Sequence, residues 1–158
     1  MGSPNDWPTI QKGAAVLDDL GIGYEVRVLS AHRTPDAVHE YATTAPDRGI
    51  KVLVGCAGMA AHLAGVLAAV SDLPVIGVPL SGGVADGLDA LLATVQMPKG
   101  VPVATVAVDN TQNAAWLAAR ILALTDEDIA QRLVEGRAAE RKRMEQADEE
   151  IRREAGGA

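Results

Sequence analysis

Short apolar runs alternate along this chain with longer segments of helical spacing, and this alternation limits the fold more than any other feature. The spacing predicts helices over 7–20, from 35 to about 45, up to 70, over 88–95 and over 113–124. The apolar runs predict strands over 24–29, 52–54, 74–78 and 101–108. Strands that alternate with helices form a parallel sheet covered on both faces. The sequence therefore predicts a three-layer α/β fold.

The size and composition of the chain fit one such domain. It has 158 residues, 48% of them hydrophobic but only 3% aromatic, so its core must consist of Ala, Val, Leu and Ile. We predict a catalytic domain over 1–125 and a helical extension over 126–158. The extension is charged, but it carries an apolar stripe at Ile129, Leu133, Met144 and Ile151. We expect this stripe to pack on the same or a neighbouring subunit.

The charge and the single cysteine bear on partners and location. A formal net charge of −7 argues against a nucleic-acid partner, which needs a basic surface. No apolar run approaches the length of a membrane span, and no basic segment followed by an apolar one opens the sequence. Cys56 has no partner for an internal disulfide, as in proteins of reducing compartments. These features predict a cytoplasmic protein without a membrane or nucleic-acid partner.

One polar motif follows a predicted strand and opens a predicted helix. In Ser30-Ala31-His32-Arg33, the histidine is suited to moving a proton near neutral pH, and Arg33 to binding a phosphate. Backbone amides at a helix start also favour an anion. In the alternative interpretation, Ser30 and Thr34 are helix caps, and His32 and Arg33 are solvated surface residues. The motif alone does not decide between the two.

Two further turns lie where a ligand could bind. Ser3 and Asp6, ahead of the first helix, could bind phosphate and ribose, although Asn5 or Asp6 could equally be an ordinary N-cap. The segment 55–63 follows a strand, and glycine there would let the backbone lie against a planar ring. It contains His62, which either supports the site or packs within its helix. In parallel sheets, ligands bind at the carboxyl ends of the strands.

Other kinds of site lack support in the sequence. Cys56 is predicted to be a buried strand residue and not a nucleophile, and His39 a surface residue. The three histidines lie far apart, and no pair of residues has the spacing of metal ligands. There is no phosphate-binding loop of the Walker type and no Gly-x-Gly-x-x-Gly after a strand. The sequence therefore indicates no metal site and no site for a nucleoside triphosphate or a dinucleotide.

Several segments taken together resemble one family, the N5-carboxyaminoimidazole ribonucleotide mutases of purine biosynthesis, also called the catalytic subunit of phosphoribosylaminoimidazole carboxylase. The resemblance extends from Gly2 to about Leu124. It is carried by the turn 2–7, by Ser-Ala-His-Arg-Thr-Pro at 30–35, by Ala-Gly-x-Ala-Ala-His-Leu at 57–63, and by the segments 74–79 and 95–105. Pro4-Asn5, Met59 and Ala64 depart from the usual residues of the family, and the stretches 87–92 and 108–110 are closer to archaeal members.

The resemblance implies a flavodoxin-like fold, a homo-octamer and no cofactor. It implies conversion of N5-carboxyaminoimidazole ribonucleotide to 4-carboxy-5-aminoimidazole ribonucleotide, with His32 as the catalytic residue. The predicted substrate-binding residues are Ser3, Asp6, Ser30, Arg33, Gly58, His62 and Leu63. The apolar helix around Trp116 is a second reason to expect subunit contacts. Direct carboxylation of aminoimidazole ribonucleotide, a relative acting on another imidazole or pyridine nucleotide, and a non-catalytic nucleotide-binding module remain alternatives.

The beginning of the sequence departs most from the family pattern. Family members have a short apolar strand just before the turn that corresponds to 2–7, in the centre of the sheet. Here the sequence starts at the end of that strand, so we expect the first strand to be missing and Met1 to be an internal methionine of a longer strand. Its two neighbours would then carry unpaired backbone groups, which is costly where they are buried.

Overall fold

The computed structural model describes residues 1–156 and places a parallel sheet between two layers of helices. Among these residues the strands are β1 (Leu53–Gly58), β2 (Val75–Leu80) and β3 (Ala104–Thr105), in the order β1-β2-β3. The helices are α1 (Trp7–Asp19), α2 (Pro35–Thr43), α3 (Leu63–Val70), α4 (Leu88–Val95), α5 (Thr111–Leu122) and α6 (Glu127–Glu154). The predicted three-layer, flavodoxin-like α/β fold with a long C-terminal helix is confirmed.

Each face of the sheet has its own apolar cluster. On one face, Val38 of α2 and Leu67 of α3 pack with Leu53 of β1. On the other face, Ile76 and Val78 of β2 pack with alanines of α5. Every residue of β2 is buried, because a central parallel strand is covered on both faces.

Gly77 sets how closely α4 approaches the sheet. A Cβ atom placed on this residue of β2 would lie 2.4 Å from Cγ2 of Thr94 and 2.8 Å from Cγ1 of Val103. A side chain of any size would therefore push α4 away from the strand. Glycine at this position therefore allows the helix to pack closely on the sheet. Small aliphatic residues favour the same close packing elsewhere in this core.

The predicted strand over 24–29 is wrong, since this segment belongs to no strand. Within residues 1–156, its only backbone hydrogen bonds join Met1 to Arg27 and Leu29. On the opposite side, the Gly2 amide donates to the Cys56 carbonyl at 3.1 Å. Met1 and Gly2 alone therefore bridge the segment and β1. These hydrogen bonds are too few for a ladder, so the segment forms no strand.

β3 is shorter than the strand predicted over 101–108. Pro102 has no N–H to donate, and the strand lies at the edge of the sheet, where proline is tolerated but interrupts the ladder. Irregular pairing with β2 continues beyond it, because the Val106 amide donates to the Gly77 carbonyl at 3.0 Å. The segment thus follows the sheet without forming a long strand.

The C-terminal helix α6 packs on the domain through its first turns only. Ile129 and Leu133 are buried against α1 and α5, whereas Met144 and Ile151 are 60% and 62% exposed. The predicted apolar stripe is therefore covered in its first half alone. Residues 157–158 of the predicted extension lie outside the described residues. No helix in the described part of the chain is both long and apolar enough to cross a membrane.

Candidate active site

The first turn of the chain is held by Ser3 and Asp6. The Ser3 amide donates to Oδ2 of Asp6 at 3.0 Å, and Oγ of Ser3 accepts from the Asn5 amide at 3.3 Å. This reciprocal arrangement is a capping box with Ser3 as the N-cap of the short 3-10 turn Pro4–Asp6. Asp6 occupies the N-cap position of α1 but makes no side-chain capping bond to that helix. Both side chains that were predicted to bind substrate are thereby fixed in one orientation.

Arg33 ties this first turn to the turn before α2. Its Nη2 donates to the Gly2 carbonyl at 2.8 Å, and its Nε donates to Oγ of Ser30 at 3.3 Å. Oγ of Ser30 also accepts from the Arg33 amide. Two segments 31 residues apart therefore share one guanidinium group. The rigid fork of arginine suits it to hold both partners while it keeps a donor for an anion.

Thr34 stabilises the same turn in a way the sequence did not indicate. It occupies the N-cap position of α2, but its side chain makes no capping bond to the helix. Oγ1 instead accepts from the Ser30 amide at 3.0 Å and lies 3.2 Å from the Ser30 carbonyl, to which it donates. The threonine therefore closes the loop that presents His32.

His32 and His62 are in direct contact. Nε2 of His32 lies 2.8 Å from Nδ1 of His62, and the rings meet edge to face with centroids 4.9 Å apart. His62 is the N-cap residue of α3, at the carboxyl end of β1, and both side chains are exposed to solvent. One nitrogen of the pair must carry the proton that joins them. The pair can hold or pass a proton at a surface that a ligand can reach.

The turn between β1 and α3 forms one wall of the site. A Cβ atom on Gly58 would lie 3.3 Å from the Leu80 carbonyl oxygen, so the turn packs closely on the end of β2. Met59 follows with a φ of 55°, a left-handed conformation that glycine adopts more easily. The Leu63 side chain is buried in the core, so only its backbone faces the turn.

Asp109 is a site residue that the sequence analysis missed. Its Oδ1 accepts from the Ser81 amide at 2.9 Å, and its own amide donates to the Pro79 carbonyl at 2.9 Å. It thereby holds the start of the Gly-rich loop 81–83 beside the Gly58–Met59 turn, where a Cβ atom on Gly83 would lie 3.1 Å from Cγ of Met59. Its φ of 59° is a left-handed conformation, which aspartate and asparagine adopt more often than most other residues. The aspartate itself was therefore the signal that the sequence offered for this position.

Cys56 and His39, which were not expected to act in the site, lie away from the contact between His32 and His62. Cys56 is buried, and burial raises the pKa of its thiol to about 11, so it is protonated at neutral pH. His39 is exposed on α2. Among residues 1–156 no three His, Cys, Asp or Glu side chains lie close enough to hold a metal ion.

The structure therefore joins the predicted residues through a small set of contacts. Arg33 links Gly2 and Ser30, the capping box orders Ser3 and Asp6, and His32 meets His62. Gly58 and Leu63 contribute backbone to the same end of the sheet. A parallel sheet with a polar, histidine-bearing cluster at the carboxyl ends of its strands has the layout of a small α/β enzyme.

Comparison with protein families identifies this scaffold more closely. The chain belongs to the AIR carboxylase family, whose model matches residues 1–143. It is 53% identical over 133 residues to the N5-carboxyaminoimidazole ribonucleotide mutase of Pyrococcus abyssi, a match that covers 84% of this chain and 76% of the relative. The corresponding Bacillus subtilis mutase is 52% identical over 139 residues, covering 87% and 86%.

Other relatives carry a different name, and a solved structure supports the fold. The phosphoribosylaminoimidazole carboxylase of Candida albicans is 52% identical over 126 residues, which are 80% of this chain and 22% of that protein. The crystal structure of Treponema denticola PurE matches with a TM-score of 0.84 and 28% identity, covering 96% of this chain and 94% of that one.

Proposed function

We propose that this protein converts N5-carboxyaminoimidazole ribonucleotide to 4-carboxy-5-aminoimidazole ribonucleotide in purine biosynthesis. The contact of His32 with His62, next to the turn that Arg33 anchors, is the observation that carries the proposal. The names of the Pyrococcus and Bacillus relatives support the same substrate. The proposed reaction needs no cofactor. It needs a site that binds the substrate phosphate, a group that transfers protons, and a closed pocket.

The substrate phosphate is assigned to Arg33 and the first turn. Arg33 uses Nη2 and Nε for its protein contacts, which leaves Nη1 to bind a phosphate oxygen. The Asp6 carboxylate holds the Ser3 amide through Oδ2, and its other oxygen can accept a hydrogen bond from a ribose hydroxyl. Binding at these remote groups orients the imidazole ring toward His32.

The chemical step needs two proton transfers that balance. The bond between the exocyclic nitrogen and the carboxyl group breaks, carbon dioxide leaves, and the nitrogen gains a proton. The neighbouring ring carbon then attacks carbon dioxide to form the new carbon–carbon bond. This carbon finally loses its proton, which restores the aromatic ring. His32 can give the first proton and take the second, so it ends in its starting state.

His62 is assigned the role of orienting His32. When Nε2 of His32 donates to Nδ1 of His62, the other nitrogen of His32 is left as the free base. Once His32 takes a proton, the same contact becomes a charge-assisted hydrogen bond and strengthens. The turn 58–63 and the loop 81–83 are assigned the role of shielding the pocket from water. A shielded pocket keeps carbon dioxide from escaping to solvent before it reacts.

Two substrates separate the mutase from the direct carboxylase, the activity in the printed name of the Candida relative. The purified protein is incubated with N5-carboxyaminoimidazole ribonucleotide, or with aminoimidazole ribonucleotide plus bicarbonate, and product absorbance is followed. We expect turnover with the carboxylated substrate at a rate well above that with the second mixture. Equal or faster turnover of aminoimidazole ribonucleotide would overturn the mutase assignment in favour of carboxylation.

The His32→Asn variant separates an enzyme from a nucleotide-binding module. We expect this variant to bind the ribonucleotide product normally in calorimetry but to lose turnover by about 100-fold or more. Turnover that survives the substitution would remove His32 from the mechanism. The matched control is His39→Asn, which changes a histidine on the exposed side of α2 and should leave turnover unchanged.

We also propose a cytoplasmic homo-octamer, in which residues 1–125 form the catalytic domain and 126–158 an extension that packs on a neighbour. Leu88, Leu92 and Val95 lie on one face of α4 and are 54%, 48% and 48% exposed, an apolar stripe suited to a subunit contact. The uncovered Met144 and Ile151 of α6 suit another. Light scattering should give a mass near eight chains; a monomer at working concentration would contradict this.

A further inference from the structure

Left-handed backbone outside glycine occurs at three places within residues 1–156. Met59 has a φ of 55°, Asp86 a φ of 46° and Asp109 a φ of 59°. Such a conformation is uncommon for a residue that has a Cβ atom, and it persists only where the surrounding structure holds it. Strain of this kind is concentrated at functional sites. The three residues are far apart in the sequence, but their side chains all meet the loop 81–83.

The two aspartates hold this loop through hydrogen bonds. Oδ1 of Asp109 accepts from the Ser81 amide at 2.9 Å, and Oδ1 of Asp86 accepts from the Gly82 amide at 3.2 Å. Aspartate adopts left-handed backbone more readily than most residues, because its short polar side chain can bond to nearby backbone. A polar contact therefore explains the conformation of both aspartates.

Met59 has no polar side chain that could do the same. It reaches the third residue of the loop, since a Cβ atom on Gly83 would lie 3.1 Å from Cγ of Met59. The Met59 side chain is 62% exposed, so burial of apolar surface does not explain why the strained conformation is kept. Glycine would adopt the same backbone without strain. The side chain of Met59 therefore has a role other than stabilising the fold.

The position of Met59 beside the histidine pair indicates that role. Its carbonyl accepts from the Ala61 amide at 2.9 Å and so begins a tight turn. This turn carries His62 to its contact with His32. The Met59 side chain extends from the turn to the loop 81–83, and these are the two segments assigned to shield the pocket. A flexible thioether can fill an irregular gap of this kind and still move aside for a ligand.

We propose that the Met59 side chain is the apolar cover that retains carbon dioxide during carboxyl transfer, an inference that rests on the proposed function. Once the bond between the exocyclic nitrogen and the carboxyl group has broken, carbon dioxide either forms the new carbon–carbon bond or escapes to solvent. The cover favours the first outcome. Glycine would relieve the backbone strain at this position, but it has no side chain to close the gap between the turn and the loop.

An isotope label measures how well carbon dioxide is retained. The protein receives unlabelled N5-carboxyaminoimidazole ribonucleotide in a buffer that contains isotopically labelled bicarbonate, and the first product formed is analysed by mass spectrometry. When carbon dioxide escapes, labelled carbon dioxide, formed from bicarbonate and a proton with loss of water, can enter in its place. The ring carbon then bonds to it and loses its proton. The labelled fraction of the product therefore reports escape, whereas the total rate reports the chemical step.

Three substitutions separate the side chain of Met59 from its backbone. Met59→Ala removes the side chain beyond Cβ but keeps the left-handed restriction, whereas Met59→Gly removes both. Met59→Leu keeps an apolar side chain of similar volume. Leu124→Ala is the matched control, because it shortens another exposed apolar side chain, which lies just beyond the end of α5 and is 83% exposed.

We expect the labelled fraction to rise at least about fivefold in the alanine and glycine variants of Met59. It should stay at the native level in the leucine variant and in the control. The glycine variant should also show a Tm about 2–5 °C higher, because the strain is relieved while the cover is lost. An unchanged labelled fraction in both shortened variants, or an equal rise in the leucine variant, would overturn the proposal. A lower Tm in the glycine variant would also overturn it, since Met59 would then be kept for stability.

The native chain separates this inference from the function on which it rests. A native chain that forms no 4-carboxy-5-aminoimidazole ribonucleotide would overturn the proposed function and, with it, the role of Met59. Normal product formation by the native chain, with no additional label in the Met59→Ala product, would overturn the role of Met59 alone.

Discussion

Nε2 of His32 lies 2.8 Å from Nδ1 of His62, although 30 residues separate the two histidines in the chain. The contact forms because the loop after 24–29 and the turn after β1 lie at the same end of the sheet. It gives His32 a fixed partner at one ring nitrogen and leaves the other nitrogen for a ligand. The first prediction concerns this partner.

Replacing His62 with phenylalanine should lower kcat by about 10- to 100-fold while KM changes less than about threefold. The ring shape is kept, but His32 loses the acceptor that orients it. Asparagine can place a polar atom near the position of Nδ1, so His62→Asn should recover part of the rate. Steady-state kinetics of both variants over a range of pH measure this. A rise in KM with kcat unchanged, or an equal fall in kcat in both variants, would contradict an orienting role.

Arg33→Lys should raise KM by about 10-fold or more with a smaller change in kcat. An ammonium group cannot reach the Gly2 carbonyl and Oγ of Ser30 together and also bind a phosphate. Arg143→Lys is the matched control, because Arg143 is exposed on α6 and pairs only with Glu140 among the described side chains. Isothermal titration with the product distinguishes weaker binding from slower chemistry; unchanged affinity would remove Arg33 from the phosphate site.

Gly77→Ala should destabilise the protein by about 1–3 kcal/mol through overpacking. The added methyl group would meet Cγ2 of Thr94 at 2.4 Å and force α4 away from β2. Gly23→Ala provides the control, since a Cβ atom there meets no other atom within 4 Å. Urea unfolding of both variants measures the difference. Equal stabilities would show that α4 shifts without cost.

Acetylation of the Met1 amine should stabilise the protein below pH 8. Burial lowers the pKa of this amine below its ordinary value of 8.0. Between the two values the unfolded chain binds more protons than the folded one, so the free energy of unfolding rises with pH up to about 8. The acetylated chain lacks this slope but keeps the N–H that donates to Arg27.

The measurement is the difference in unfolding free energy between the free and the acetylated chain from pH 6 to 9. Mass spectrometry first confirms that Met1 is retained. The difference should be largest at pH 6 and should shrink as the amine loses its proton. A difference that does not depend on pH would show that the amine is solvated in the folded state.

The sequence was sufficient where local patterns decide the structure. Helical spacing predicted α1, α4 and α5 within a few residues, and the buried run 74–78 predicted β2. The order of elements along the chain was enough for a three-layer parallel fold, because few topologies accommodate it. The motif containing His32 and Arg33 was likewise visible, although its pattern alone could not separate a site from a capped helix.

Pairing across the chain could not be read from the sequence. The segment 24–29 has strand composition but forms no strand, because a strand needs a neighbour, and among residues 1–156 only Met1 makes backbone hydrogen bonds to it. Apolar residues such as Met144 indicated a packed stripe on α6, yet this half of the helix has nothing to pack against within the described residues. Composition indicates what a segment can do, whereas burial depends on what lies next to it.

By itself, then, the sequence determined the layers of the fold, the family and the residue types at the carboxyl ends of the strands. Only the tertiary structure decided that His62 meets His32, that Arg33 spans two turns, that Asp109 holds the loop 81–83, and that Leu63 is buried. Contacts between residues distant in sequence depend on the relative position of helices and strands. That position is set by the packing of the whole core and by close approaches such as the one at Gly77.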